Sequence, residues 1–437
     1  MSSVTHVALD FLGRLAEDEG TPHSTEALPM SVDHRTRLMK EIRPLAVDEV
    51  LDVVLPEALA RHGDLASRGA AYRGVPALGF EVDGVTVTLR LDSGRLSVAS
   101  GLERAGVVAR LSGEALSDLL QDYQSTMGLA MTSRVEIVEG TMQEWLDWEM
   151  VLRALLDGRK VYERGDVAFI DRDGGELALD RTFTIEDDRD EAAHFLREAG
   201  FVHLRGVFEA DEMARVAADI DDFIERAAPD DGDSWWAEDA EGNAQAVRVL
   251  EFYDKSEALR ELVNSPRYQW IGDLTGDGHR FRHSAEGLVK PLGIVKGLSD
   301  LPWHKDCGQG RHSLLCNALT CGISVTGADR VSGALGVVPG SHRANVRAPG
   351  RDPVMDLPAR MLETETGDVT VHCSDTLHRA HPPTERPRKV VYSGFRLPLL
   401  PGDEAIDEPR YAREARAELT DVEDRIAGAM SGPAEAS

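Results

Sequence analysis

Cysteine is scarce in this chain: Cys307, Cys316, Cys321 and Cys373 are the only four among 437 residues, and no two form a Cys-x-x-Cys pair. That spacing excludes a zinc ribbon and a thioredoxin-like redox motif. Reduced thiols in a cytoplasmic protein are the expectation. Positive charge is also in short supply, with 48 Lys and Arg against 77 Asp and Glu and a formal net charge of −29. So large an imbalance excludes a bulk electrostatic attraction to nucleic acid or to anionic membranes. No apolar run approaches the length of a membrane span, and MSSVTHVALDFLGRLAEDEG has no basic stretch leading into a long apolar one, so neither an anchor nor a signal peptide is expected.

What is present fits an ordinary globular protein: 42% of residues are hydrophobic and 29% charged. The length favours more than one domain. The first seventy residues read as mainly helical, with VDEVLDVVLPEALARHG carrying apolar residues at helical spacing and Pro56 as an interruption. The period then changes to two. In GVTVTLRLDSGRLSVAS, Val85, Val87, Leu89 and Leu91 share one face, Thr86, Thr88 and Arg90 the other, and Asp92-Ser93-Gly94 makes the turn of a hairpin. Ser112 is placed to cap a helix burying Leu116, Leu119 and Leu120. A short strand, RVEIVEG, precedes the helix TMQEWLDWEMVLRALLDG, closed by Gly158. These elements predict an α+β N-terminal domain over residues 1–160.

Residues 161–185 are rich in acids and turn formers and are expected to be a linker. After them the chain reads helix, turn at Gly200, strand FVHLRGVF and a helix starting near Ala210-Asp211. Trp235 and Trp236, within PDDGDSWWAEDAEGN, fall in what reads as a polar loop. From residue 287 onward short strands and turns alternate, which predicts a mainly-β sandwich or jelly roll decorated with helices over 186–400. Residues 401–437 are expected to form a helical or flexible tail.

The chemistry is concentrated in two segments. In WHKDCGQG, His304 and Asp306 lie two apart after a strand-like stretch, so an imidazole and a carboxylate are expected to face one point. Downstream, GDVTVHCSDTLHRAHPP offers His378 and His381 as a third ligand. Two histidines and one carboxylate on one face of a metal leave positions open for reactants, which is the facial triad of non-haem Fe(II) oxygenases. His372, in the same segment, reads as structural or supporting, and His342 as supporting its own loop. His312 is a lone histidine that local hydrogen bonds would satisfy.

Two resemblances follow from these stretches. The TLRLDSGRLSV hairpin, ARLSGEALSDLL and VEIVEGTMQEWLDWEMVL resemble, in order, the sterol carrier protein type 2 family over roughly residues 45–160. That likeness implies a lipid-binding module; Trp145, Trp148 and Met150 fit either its cavity or a plain core, and plain core is the better reading. FLREAGFVHLRGVFEADEM, the WHKD pair, SGALGVVPGSHR, GDVTVHCSDTLHRAHPP and RPRKVVYSGF resemble the phytanoyl-CoA dioxygenase family over about residues 185–400.

The second resemblance implies a double-stranded β-helix (jelly roll) that uses Fe(II), 2-oxoglutarate and dioxygen. By position it implies His304, Asp306 and His378 as metal ligands, with His381 as competitor for the last. It implies Arg388 as the group that binds the far carboxylate of 2-oxoglutarate, with Arg386 as alternative; a planar guanidinium suits that task. Asn317 and Thr320, on the strand after the His-x-Asp pair, are further candidates for the co-substrate, as are Lys290 and Lys296. Halogenating relatives lose the carboxylate that Asp306 retains, so hydroxylation is implied, with desaturation or ring formation as other endings of the same chemistry. The substrate is expected to be small and lipophilic: an acyl chain, a sterol-like molecule or a polyketide. A non-catalytic metal-bound lipid-binding or sensory protein is the competing reading.

Overall fold

The computed structural model describes residues 42–229, 231–297, 301–309, 318–350, 352 and 355–398. The helices expected before residue 42, the candidates Asn317 and His312, Cys316 and the expected tail over 401–437 lie outside these residues.

Pro56 does not interrupt the first described helix. A π-helical turn over Val50–Val54 leads into α1 (Leu55–Arg73), and Pro56 occupies the first turn of the α-helical part. The Leu55 amide bonds back to the Val50 carbonyl, five residues earlier, so the wider turn accommodates a residue that has no amide proton to offer. β1 (Leu78–Val82), β2 (Val85–Asp92) and β3 (Arg95–Ser100) follow, with Ser93 and Gly94 both at positive φ in the two-residue turn between β2 and β3. β4 (Val107–Leu111) runs parallel to β1, and α2 (Gly113–Leu120) begins at Ser112, whose hydroxyl accepts from the Ala115 amide. Then come α3 (Thr126–Met131), β5 (Glu136–Glu139) and α4 (Met142–Asp157), which opens with a capping box at Thr141 and ends at Gly158 in the left-handed region.

The five strands form one sheet in the order β3-β2-β1-β4-β5. Its apolar face, α1 and α4 share one core in which Trp145 and Trp148 are fully buried. Their indole N–H groups donate to the carbonyls of Thr126 (3.0 Å) and Pro76 (2.9 Å). Both tryptophans therefore fill core with their polar ends satisfied. Thr88, expected on the open face, is also buried and donates to the Gly101 carbonyl at 2.7 Å.

The second core begins with α5 (Arg189–Ala199), closed by Gly200, and β6 (Phe201–Leu204). α6 (Ala210–Arg226) starts where expected and is capped by Glu209, whose capping box with Glu212 closes the first turn. The tryptophan pair expected in a loop lies instead on β7 (Ser234–Asp239), which pairs with β8 (Ala244–Val249) around a turn at Asp239–Asn243. Acidic turn residues flank a genuine strand there: Trp235 covers the Arg248 side chain across the hairpin, with the guanidinium carbon 4.7 Å from its ring centre.

After three short helices between 252 and 273, β9 (Arg280–Lys290), β10 (Ile294–Lys296), β11 (Leu301–His304), β12 (Leu319–Ser324), β13 (Leu335–Val337), β14 (Arg360–Leu362), β15 (Val369–Cys373), β16 (His378–Ala380) and β17 (Arg388–Arg396) complete the fold. They make two antiparallel sheets, β10-β7-β8-β9-β17-β12-β15-β6 and β11-β16-β13-β14. On β12, β15 and β17 the alternation is strict. Leu319, Cys321, Ile323, Val369, Val371, Val391 and Phe395 join the helices in the core, so Thr320, His372 and Tyr392 face the other way.

Candidate metal centre

The site lies between the two sheets. His304 ends β11 and is the direct cross-strand partner of His378, the first residue of β16. Their rings are 4.2 Å apart, centre to centre. Asp306 lies just past the end of β11, in a turn, so it reaches the same point because the chain bends and not because it alternates along a strand. Its Oδ1 is 3.4 Å from His304 Nε2 and 3.5 Å from His378 Nε2. These three residues are the one group among the described residues whose donor atoms converge as a metal site requires.

The hydrogen bonds around the triad set its protonation state. His304 Nδ1 donates to the Pro302 carbonyl at 2.7 Å, and His378 Nδ1 donates to the Thr376 carbonyl at 2.9 Å. A ring that gives its Nδ1 proton to a carbonyl presents the Nε2 lone pair, which is the form a metal needs. Burial, followed by the nearby His372 and His304, holds His378 well below the usual imidazole range. Burial acts in the opposite direction on Asp306, but the His378 imidazole and contacts with His304 and His372 outweigh it and keep the carboxyl well below its usual range. A neutral imidazole at His378 and an ionised carboxylate at Asp306 are ligand forms. Cis ligands on bonds of about 2.1 Å stand about 3 Å apart, so the observed separations fit a first-row divalent ion with little adjustment.

Thr320 lines the cavity, and its hydroxyl donates to Asp306 Oδ2 at 2.8 Å, orienting the carboxylate. His372, taken from sequence as a supporting residue, is buried beside the triad. Its Nε2 is 3.6 Å from Asp306 Oδ2, its ring centre is 4.1 Å from that of His378, and neither ring nitrogen has a hydrogen-bond partner. Strand phase was the available signal: in DVTVHC, Asp368, Thr370 and His372 alternate with valines and cysteine. Lys305, between the two ligands in sequence, points away and donates to the Ser341 carbonyl at 3.1 Å, tying down the strand end.

His381 stands outside the triad. Its ring packs edge-on against Trp303, and its carbonyl accepts from Lys290 Nζ at 2.6 Å. His342 holds its own loop through Nε2 and the Arg197 carbonyl, 2.9 Å apart. Lys296 is exposed and lies 3.7 Å from Glu238, away from the site. Arg386 is on the surface in an ion pair with Asp329. Arg388 is buried, pairs in register with Lys290, and shares the strand face of Val390 and Tyr392. Its Nε and Nη2 are buried and have no partner among the described residues, which an anionic ligand would supply. Arg388 does not itself line the open cavity, which is bounded instead by the triad, His372, Thr320, Tyr392, Arg248 and Lys290 with Leu288, Leu301, Leu335 and Ala380. That cavity holds about 720 Å³ of space not filled by protein atoms, part of it open to solvent.

Residues 196–390 match the phytanoyl-CoA dioxygenase (PhyH) family, a stretch that contains the triad and Arg388 and spans less than half of the chain. No curated protein matches the chain. Among solved structures, the chain is similar to the epimerase SnoN in complex with Fe3+, alpha ketoglutarate and nogalamycin RO, at 21% identity, 47% of this chain, 82% of that one and a TM-score of 0.38. It is similar to the alpha ketoglutarate dependent carbocyclase SnoK from nogalamycin biosynthesis, at 24% identity, 49% and 86% coverage and a TM-score of 0.40. It is similar also to EctD from S. alaskensis with 2-oxoglutarate and 5-hydroxyectoine, at 18% identity, 54% and 83% coverage and a TM-score of 0.41. The family domain and the convergent donor set make this chain a 2-oxoglutarate-dependent non-haem iron enzyme, with Fe(II), 2-oxoglutarate and dioxygen as its reactants.

Proposed function

We propose that the enzyme hydroxylates a small, mainly apolar substrate, with His304, Asp306 and His378 as the iron ligands. The observation that carries this reading is the triad itself: two imidazoles with Nε2 free and an ionised carboxylate, all turned to one point at the cavity wall. Iron with 2-oxoglutarate and dioxygen supplies the oxidising power, and the balance is R–H + 2-oxoglutarate + O2 giving R–OH + succinate + CO2. The protein's own share is placement. Thr320 fixes the free oxygen of Asp306, and the carbonyls of Pro302 and Thr376 fix the two imidazoles. The buried guanidinium of Arg388 is assigned the far carboxylate of 2-oxoglutarate, for which its unpartnered Nε and Nη2 offer a forked pair of donors. Leu288, Leu301, Leu335 and Ala380 give the substrate an apolar wall.

The same assignment divides the chain into an N-terminal domain over 1–160, a linker over 161–185 and the oxygenase over 186–400, in a cytoplasmic protein. A sterol-carrier-like role for the N-terminal domain draws support from its order of elements alone, and its buried tryptophans serve there as core. The non-catalytic scaffold is disfavoured by Arg388, since a scaffold has no use for an unpaired buried cation. The test is iron-dependent conversion of 2-oxoglutarate to succinate by anaerobically purified, Fe(II)-loaded protein on exposure to air, beside Asp306→Ala. Succinate lost in the variant supports the oxygenase; tight metal binding with no binding of 2-oxoglutarate sinks it.

A further inference from the structure

One cation in the cavity has no task in the reaction as assigned. Arg248, on β8, stands opposite Leu288 of β9 in register and lines the cavity beside Lys290 and Tyr392. One face of its guanidinium is covered by Trp235, with 4.7 Å from the guanidinium carbon to the ring centre. Its Nε sits 3.2 Å from the Glu286 carboxylate, and only 16% of the side chain is exposed. The stacked ring fixes the plane of the fork. Its buried Nε, although near Glu286, makes no hydrogen bond among the described residues, so the guanidinium keeps donor capacity for whatever enters the cavity it lines.

We propose that Arg248 is a specificity-determining anion subsite, and that the substrate joins an apolar body to an acidic group such as a carboxylate. The inference rests on the oxygenase reading above, in which Arg388 takes 2-oxoglutarate. The two arginines are not interchangeable. They sit on β8 and β17 with β9 between them, two strand spacings or about 10 Å apart at the backbone, and each is assigned a different anion. A shielded guanidinium with donor capacity to spare binds a carboxylate through two parallel hydrogen bonds and rejects the uncharged isostere. The apolar residues that line the same cavity (Leu288, Leu335) then hold the part of the substrate that is presented to the metal.

The test uses octanoate and octan-1-ol as probes of equal chain length, titrated by calorimetry into full-length protein loaded with Fe(II) and saturating 2-oxoglutarate under anaerobic conditions. Octanoate is expected to bind at least tenfold more tightly than octan-1-ol, and Arg248→Gln is expected to erase the difference while Lys296→Met, outside the cavity, retains it. Equal binding of the two probes, absence of octanoate binding, or a preference that survives in Arg248→Gln overturns the proposal. Failure of the oxygenase reading shows separately, as an absence of 2-oxoglutarate binding to the Fe(II)-loaded wild type. Failure of the subsite shows as lost discrimination in a protein that still binds 2-oxoglutarate.

Discussion

Ser125 and Gly308 are joined across the two cores: the serine hydroxyl donates to the glycine carbonyl at 2.6 Å, two residues beyond Asp306. The same oxygen caps α3 by accepting from the Gly128 amide at 2.8 Å. Around this contact, the Lys305 amide bonds to the Ala348 carbonyl and the Gly350 amide to the Trp303 carbonyl, so the strand end that carries His304 lies on the segment 344–350. That segment is pinned to the N-terminal unit by Asn345, which donates to the carbonyls of Met150 (2.9 Å) and Arg159 (3.0 Å). The N-terminal unit therefore acts on the site as a mechanical support, whatever else it binds.

Ser125→Ala removes a cap and leaves the Gly308 carbonyl short of a partner. A loss of about 1–3 kcal/mol is expected, measured as a lower urea midpoint. A higher Fe(II) requirement for succinate formation should accompany it, because Asp306 is two residues away. An unchanged iron requirement at reduced stability would confine Ser125 to a folding role.

Thr320→Val keeps the shape of the side chain and deletes the hydrogen bond to Asp306. Loss of such an outer partner is expected to weaken metal binding by about 10–100-fold. Thr320→Ser, which keeps the hydroxyl, should stay close to wild type. Anaerobic titration with Co(II) or Fe(II) measures both. Equal affinities in valine and serine variants would remove Thr320 from the metal's support.

Much of this site was legible in the sequence, for reasons that particular residues make plain. His304, Asp306 and His378 converge as the motif spacing indicated, because β11 and β16 pair at the two histidines themselves. The route differs: Asp306 arrives through a turn, which no periodicity reveals. Thr320 could be assigned to the inward face only once the register Thr320↔His372 was known, since a one-residue slip reverses every side chain. Trp235 and Trp236 were misread because acidic turn residues surround them, while strand pairing with β8 is a contact ten or more residues away. Arg248 carries no motif; only the hairpin that seats it against Trp235 distinguishes it.

Arg388→Gln and Arg386→Gln separate the two arginines proposed for the co-substrate. Arg386 pairs with Asp329 on the surface, where such pairs contribute about 0–1 kcal/mol, so its loss should leave the KM for 2-oxoglutarate near wild type. Arg388 is buried with unpartnered nitrogens, and its loss should raise that KM at least tenfold, equivalent to about 1.4 kcal/mol. Arg388→Lys should rescue little, because an ammonium lacks the fork. Steady-state kinetics with varied 2-oxoglutarate decides it, and equal effects of the two glutamine variants would reject the assignment.

Asp368 makes the acid side of the stability curve predictable. Its Oδ2 accepts from His203 Nε2 at 2.8 Å and from the Glu365 amide at 2.9 Å, and its Oδ1 accepts from the Gly206 amide at 2.8 Å. These bonds tie the edge strand β6 to β15. The turn before them requires Gly367, whose φ is +91° and whose missing Cβ would fall 1.9 Å from the Phe208 carbonyl oxygen. Burial raises the Asp368 pKa, but the bonds from His203, Gly206 and Glu365 outweigh it and the net shift is downward. A carboxyl depressed in the folded state contributes stability above its unfolded value of about 3.9 and loses it as pH falls through the folded value. Asp368→Asn turns an amide N–H₂ toward donors and cannot ionise. It should cost about 1.5–3 kcal/mol at pH 7, and the gap to wild type should close as pH falls below about 4. Urea midpoints for the two proteins across that range measure it. A gap that stays constant with pH would show that the carboxylate's charge is not what holds β6 in place.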